Sequence, residues 1–163
     1  MRTAGAIGTL CVVAVAGILF WYQTATDPTP AIPSTVSVDQ GAQVFKRYCS
    51  VCHQITGPDG VSIAGGRSNA GPNLYNVMNR PGAQQDGFRY STALAAAGQD
   101  AGLIWTSDAV AAYIQDPTEF LRDVLNDPTA RSKMSFRLRT ANAATDAQSV
   151  AAYLASIPNQ NRE

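Results

Sequence analysis

Five residues, Cys49-Ser50-Val51-Cys52-His53, restrict this chain more than any other feature, because His53 is its only histidine. The C-x-x-C-H order is read as covalent attachment of a c-type haem. The chemistry fixes the spacing. Two thiols add to two vinyl groups of one porphyrin, so they lie about one helical turn apart, and the next residue presents its imidazole to the iron. Other uses of a C-x-x-C pair fit less well. A thioredoxin-like redox pair sits on a strand-to-helix turn, whereas residues 38–48 have helical spacing and strand signals are scarce throughout. Asp39, near the start of that stretch, suits the positive end of a helix. A zinc site would need two further ligands, and no second histidine exists to supply one.

A single histidine also excludes bis-histidine ligation. The sixth iron position is left to a methionine, a lysine, a small molecule or nothing. Met1 precedes the apolar N-terminal run, which leaves Met78 and Met134. Met/His ligation raises the reduction potential and fills the iron, which suits electron transfer more than catalysis.

The N-terminus is the second constraint. Arg2 is the only charge before Asp27, and residues 4–22 are Ala, Gly, Ile, Leu, Val and aromatics broken only by Thr9 and Cys11. As a helix this run spans about 28 Å, close to the roughly 30 Å hydrocarbon thickness of a bilayer. Trp21 and Tyr22 close it where an aromatic belt would sit, and Arg2 favours a cytoplasmic N-terminus. A cleaved signal peptide would have a shorter apolar core and a clear small-x-small site; Thr24-Ala25-Thr26 is a poor one. A lipoprotein signal would place a small residue just before Cys11, where Leu10 stands. Residues 23–38 carry Pro28, Pro30 and Pro33 among Thr, Ser and Ala, a composition that favours extended backbone reaching roughly 50 Å. The expected division is a membrane anchor at 1–22, a linker at 23–38 and a haem domain at 39–163, held on the periplasmic side of the cytoplasmic membrane.

The whole chain, 163 residues with 45% hydrophobic and 15% charged, suffices for one domain. Lys plus Arg equals Asp plus Glu, 12 against 12, without the basic excess of a nucleic-acid binder.

The order of motifs after residue 38 resembles the class I cytochromes c, especially the bacterial membrane-anchored, cytochrome cy-like kind. The likeness covers roughly residues 39–158. Gly41 and Phe45 stand where the family's N-terminal helix packs against its C-terminal one. Gly71-Pro72-Asn73-Leu74 is similar to its G-P-N-L loop, Gly87-Phe88-Arg89-Tyr90-Ser91 to G-F-x-Y-[ST], and Ala112-Tyr113-Ile114-Gln115-Asp116-Pro117 to the helix ending Y-L-x-N-P. Lys133-Met134-Ser135-Phe136 resembles K-M-x-F, and Val150-Ala151-Ala152-Tyr153-Leu154 the C-terminal helix. The resemblance implies that Cys49 and Cys52 bind the haem, His53 and Met134 ligate its iron, and the Pro72 carbonyl orients His53. Arg80, Tyr90 and Trp105 would serve the propionates, and Met78 would be packing. Phe45, Tyr113, Tyr153 and Leu154 also read simply as core.

The likeness implies an all-α fold, with helices near 39–53, 91–97, 106–115 and 144–156 around one haem and no sheet. Its function would be one-electron transfer, without enzyme activity. Electrons would pass from a quinol-oxidising cytochrome bc1-type complex to a terminal oxidase or a photosynthetic reaction centre. A fixed haem subunit of a larger membrane complex is the alternative, and an open sixth position would make it a ligand-binding or peroxidase-like protein. This sequence departs from the family at Thr129-Ala130-Arg131-Ser132, where a glycine and a threonine usually precede K-M, and in lengthened connections at 91–105 and 118–133. Only two lysines occur, but Arg131, Lys133, Arg137 and Arg139 form a basic cluster around Met134 suited to docking.

Overall fold

Helix starts are written by short polar side chains. Ser37, Ser91, Thr106 and Asp116 each accept a hydrogen bond from a first-turn backbone N–H, the arrangement that satisfies donors left over at a helix N-terminus. In the computed structural model, which describes residues 35–157 except Arg67, the helices are α1 (Val38–Val44), α2 (Thr92–Gln99), α3 (Ser107–Gln115), α4 (Pro117–Leu125) and α5 (Ala143–Ser156). The anchor expected at 1–22 and most of the linker lie outside the described residues. Among the described residues no helix is long and apolar enough to cross a membrane.

α1 runs without a break into a π-helical turn, Phe45–Cys49, in which the Ser50 amide reaches back five residues to the Phe45 carbonyl at 3.0 Å. α1 packs closely against α5. A Cβ on Gly41 would overlap the Ser149 backbone, so glycine is what lets the two helices meet. Around that contact the Ser37 amide donates to Ser149 Oγ at 3.1 Å, and Gln40 Nε2 donates to Asp146 Oδ1 at 3.2 Å. Phe45 and Tyr153 pack with ring centroids 5.6 Å apart. α3 also packs on α5, and Val110, Ala111, Ala147, Val150 and Leu154 are buried in the core.

Two elements differ from expectation. A small antiparallel hairpin, β1 (Gln54–Thr56) with β2 (Ser62–Gly65), follows His53 where no sheet was expected. Pro58-Asp59-Gly60 turns the chain. Gly60 takes φ +78°, Asp59 Oδ1 accepts the Val61 amide at 3.0 Å, and Gly57 and Val61 close the turn by backbone bonding. The second is α4, a full helix in the connection at 118–133, which was expected only to be lengthened. Asp116 caps it through the Glu119 amide, Pro117 occupies its first turn, and Asn126 ends it at φ 48°. Its apolar face buries Leu121 completely and sets Phe120 beside Trp105 and Tyr113, with centroids 6.2 and 5.6 Å away.

Candidate haem centre

Residues 49–53 continue the π-helical turn as one tight loop, with the Cys52 and His53 amides both bonding to the Cys49 carbonyl at 3.0 and 2.9 Å. That loop places Cys49, Cys52 and His53 on the wall of a cavity of about 880 Å³, within the roughly 300–1,000 Å³ of ligand sites.

His53 is oriented by a backbone carbonyl. Its Nδ1–H donates to the Pro72 carbonyl at 2.9 Å. A carbonyl only accepts, so the proton resides on Nδ1 and Nε2 keeps its lone pair for a metal. Burial pushes the imidazole below its ordinary pKa, partly offset by the Pro72 bond, a direction that favours the neutral ring a metal ligand needs. Gly71 makes the pose possible. A Cβ there would run into Cε1, Nδ1 and Nε2 of the imidazole. The 71–74 loop is itself fastened to the hairpin strand: Gly71 N–H to Cys52 O at 2.8 Å, Leu74 N–H to Gln54 O at 2.8 Å, and Asn73 exchanging two bonds with the Thr56 backbone.

Burial, with the Cys52 charge beside it, pushes the Cys49 thiol up to about 11, the opposite direction from the depressed reactive thiol of a thioredoxin-type pair. Among the described residues no three His, Cys, Asp or Glu side chains gather as a metal site.

Arg80, Tyr90 and Trp105 all line the same cavity, as does Pro72. Arg80 and Trp105 are joined through the backbone, Trp105 N–H to Arg80 O at 2.9 Å. Burial raises the Tyr90 phenol, opposed by the Gln85 amide and then by the charge of Arg80, which places cation and hydroxyl near one another. Arg80 is nonetheless exposed, a surface charge and a wall residue at once.

Met134 lines the cavity and Met78 does not; Met78 packs against the core. The segment before Met134 is held at several points. Ser132 Oγ accepts the Met134 amide at 3.0 Å and shares a 2.9 Å hydrogen bond with the Tyr113 hydroxyl, while the Ser132 amide donates to Thr118 Oγ1 at 3.4 Å. Lys133 Nζ donates to the carbonyls of Arg89 and Tyr90 at 2.9 and 2.8 Å. The basic cluster around Met134 is therefore partly occupied. Arg137 and Arg139 face Asp116 at 3.2 and 3.8 Å, and Arg131 bonds the Pro128 and Ala130 carbonyls.

Two thiols, an imidazole with a fixed lone pair, a thioether, a cation and a phenol on one largely apolar wall fit a covalently attached haem. Sequence reasoning missed Ser132, Thr118 and Tyr48 as parts of this site. Their only local signal is nearness to a ligand in the chain or to the Asp116-Pro117 break; their partners come from elsewhere in the fold.

Comparison with known proteins agrees with this geometry. The cytochrome c family model matches residues 38–158. Cytochrome c2 of Rhodovulum adriaticum is 41% identical over 117 residues, covering 72% of this chain and 89% of the relative. Cytochrome c-551 of Roseobacter denitrificans is 43% identical over 121 residues, covering 74% and 80%. The crystal structure of cytochrome c2 from Rhodobacter sphaeroides superposes with a TM-score of 0.69 at 36% identity, covering 74% of this chain and 95% of that one.

Proposed function

Since the chain belongs to the cytochrome c family and is a haem c electron-transfer protein rather than an enzyme, we propose that it is a membrane-tethered one-electron carrier. The observation that carries the electron-transfer part is the convergence of Cys49, Cys52, His53 and Met134 on one cavity. When bound, the haem supplies a one-electron change between ferric and ferrous iron. Cys49 and Cys52 would hold it covalently, His53 (oriented by Pro72 and given room by Gly71) and Met134 would ligate the iron from different elements, and Arg80, Tyr90 and Trp105 would receive the propionates. Because the protein positions these side chains before any electron moves, little rearrangement would accompany transfer. Buried Phe45, Leu94 and Leu154 line the same wall, and a dry haem pocket keeps the potential up and small-molecule chemistry out.

The tether is residues 1–22, supported by their length and lack of charge beyond Arg2. The linker then gives a high effective concentration near both partners. The donor is a cytochrome bc1-type complex and the acceptor a terminal oxidase or reaction centre, on the periplasmic side. Carbonate-washed membranes test this directly. The haem-stained polypeptide is expected to stay with the membrane, to be released by deletion of residues 1–22, and to be reduced by added quinol only when the bc1-type complex is present. A polypeptide already soluble with residues 1–22 in place, or reduction independent of that complex, contradicts the proposal. Co-purification in fixed ratio with one larger complex would make it a resident subunit instead.

A further inference from the structure

We propose that Tyr48 is a positioning residue for Met134: its ring, stacked on Phe136, holds the methionine loop closed against the cavity. This rests on Met134 being the iron ligand. The Tyr48 and Phe136 rings lie 6.1 Å apart at 29°, within the offset-stacked range of about 4.5–7 Å, and both line the cavity. The two rings differ in how firmly each is held. Tyr48 belongs to the π-helical turn, whose first residue, Phe45, is 1% exposed and packed on Tyr153. The Arg47 guanidinium sits 5.3 Å from the centre of the Tyr48 ring, close enough for a cation–π contact. Phe136 lies two residues past Met134 in a segment with no regular structure of its own.

Upstream, Met134 is restrained through Ser132 and Lys133. Downstream, the next backbone anchor is the Leu138 amide on the Ile114 carbonyl. Between them the loop has the Arg137–Asp116 pair, with the arginine side chain 46% exposed, and the Phe136–Tyr48 stack. An ion pair that open to water contributes little. The stack is the stronger restraint on Met134 from that side.

Loosening the loop raises the fraction of protein with Met134 off the iron, and an external ligand reports that fraction as a higher apparent affinity. The test uses ferric holoprotein with imidazole as the probe and the methionine–iron charge-transfer band as a second readout. Tyr48→Ala is expected to raise apparent imidazole affinity roughly 2- to 12-fold, the span an aromatic pair supplies, and to weaken the band. Tyr48→Phe is expected to match the parent protein. Phe136→Ala should raise the affinity too, and the double variant no further than the larger single change. Should Tyr48→Ala fail to retain haem, Tyr48→Leu keeps apolar volume without a ring and is expected to show the same rise. Unchanged affinity in Tyr48→Ala and Tyr48→Leu, or a double variant equal to the product of the singles, overturns the proposal with Met134 still the ligand. A parent protein without the band overturns the ligand reading and this proposal together.

Discussion

His53 and Met134 line one cavity but are held in unlike ways. His53 takes its orientation from a loop 19 residues on, where one carbonyl at 2.9 Å accepts from the ring and a missing Cβ leaves it room. Met134 depends on several weaker contacts from scattered parts of the chain: Tyr113 and Thr118 through Ser132, the Arg89 and Tyr90 carbonyls 44 and 43 residues back through Lys133, and Tyr48 through Phe136. One side is fixed by steric exclusion, which fails all at once. The other is a sum of hydrogen bonds and ring contacts, which can be weakened by degrees.

The sharpest way to break the histidine side is Gly71→Ala. The added methyl group would occupy the imidazole's place, and overpacking typically costs about 1–3 kcal/mol, occasionally more. Haem-stained yield and thermal unfolding should both fall steeply. A variant with parental yield and stability would show that His53 can be re-aimed after all.

On the methionine side Ser132→Ala should be milder. It strips partners from the Met134 amide and the Tyr113 hydroxyl, at about 1–3 kcal/mol for groups left unsatisfied. The holoprotein should still form, with increased affinity for external ligands. Loss of haem attachment in this variant would erase the distinction between the two sides.

Asp116→Ala should cost about 1 kcal/mol through loss of the α4 cap, read as a lowered unfolding midpoint. Arg137→Ala, which removes only a half-exposed partner of Asp116, should cost less than about 1 kcal/mol and fade with added salt. Equal effects from the two would mean that the ion pair, not the cap, is what Asp116 contributes.

The same contrast decides what could be read from the residues. The C-x-x-C-H order and the Gly71-Pro72 loop are local chemistry, and Cys49, Cys52, His53 and Pro72 line one cavity. Helices α2, α3 and α5 begin within a residue or so of expectation because their apolar spacing is local, as are the Ser91 and Thr106 caps of α2 and α3. The hairpin was legible in principle. Pro58-Asp59-Gly60 between Ile55 and Ile63 is a turn signal with a mechanism, but β1 and β2 have 3 and 4 residues, too few for alternation to stand out against the helical family pattern. α4 carried its own marks as well, with Asp116 and Glu119 three apart around Pro117. Reading Asp116-Pro117 only as the end of α3 hid that it also begins α4. Tyr48 and Ser132 could not be recognised this way, since their roles exist only once distant segments meet.

The central claim is a closed electron-transfer site with His53 and Met134 as axial ligands. Absorption spectra of the membrane-bound holoprotein, oxidised and reduced, with carbon monoxide added to the reduced form, test it most directly. The expected result is a reduced spectrum unmoved by carbon monoxide and an oxidised methionine–iron band that disappears in Met134→Ala, the variant alone then binding the gas. Ready binding of carbon monoxide by the parent protein would contradict it, and would mean an open sixth position suited to ligand binding or catalysis.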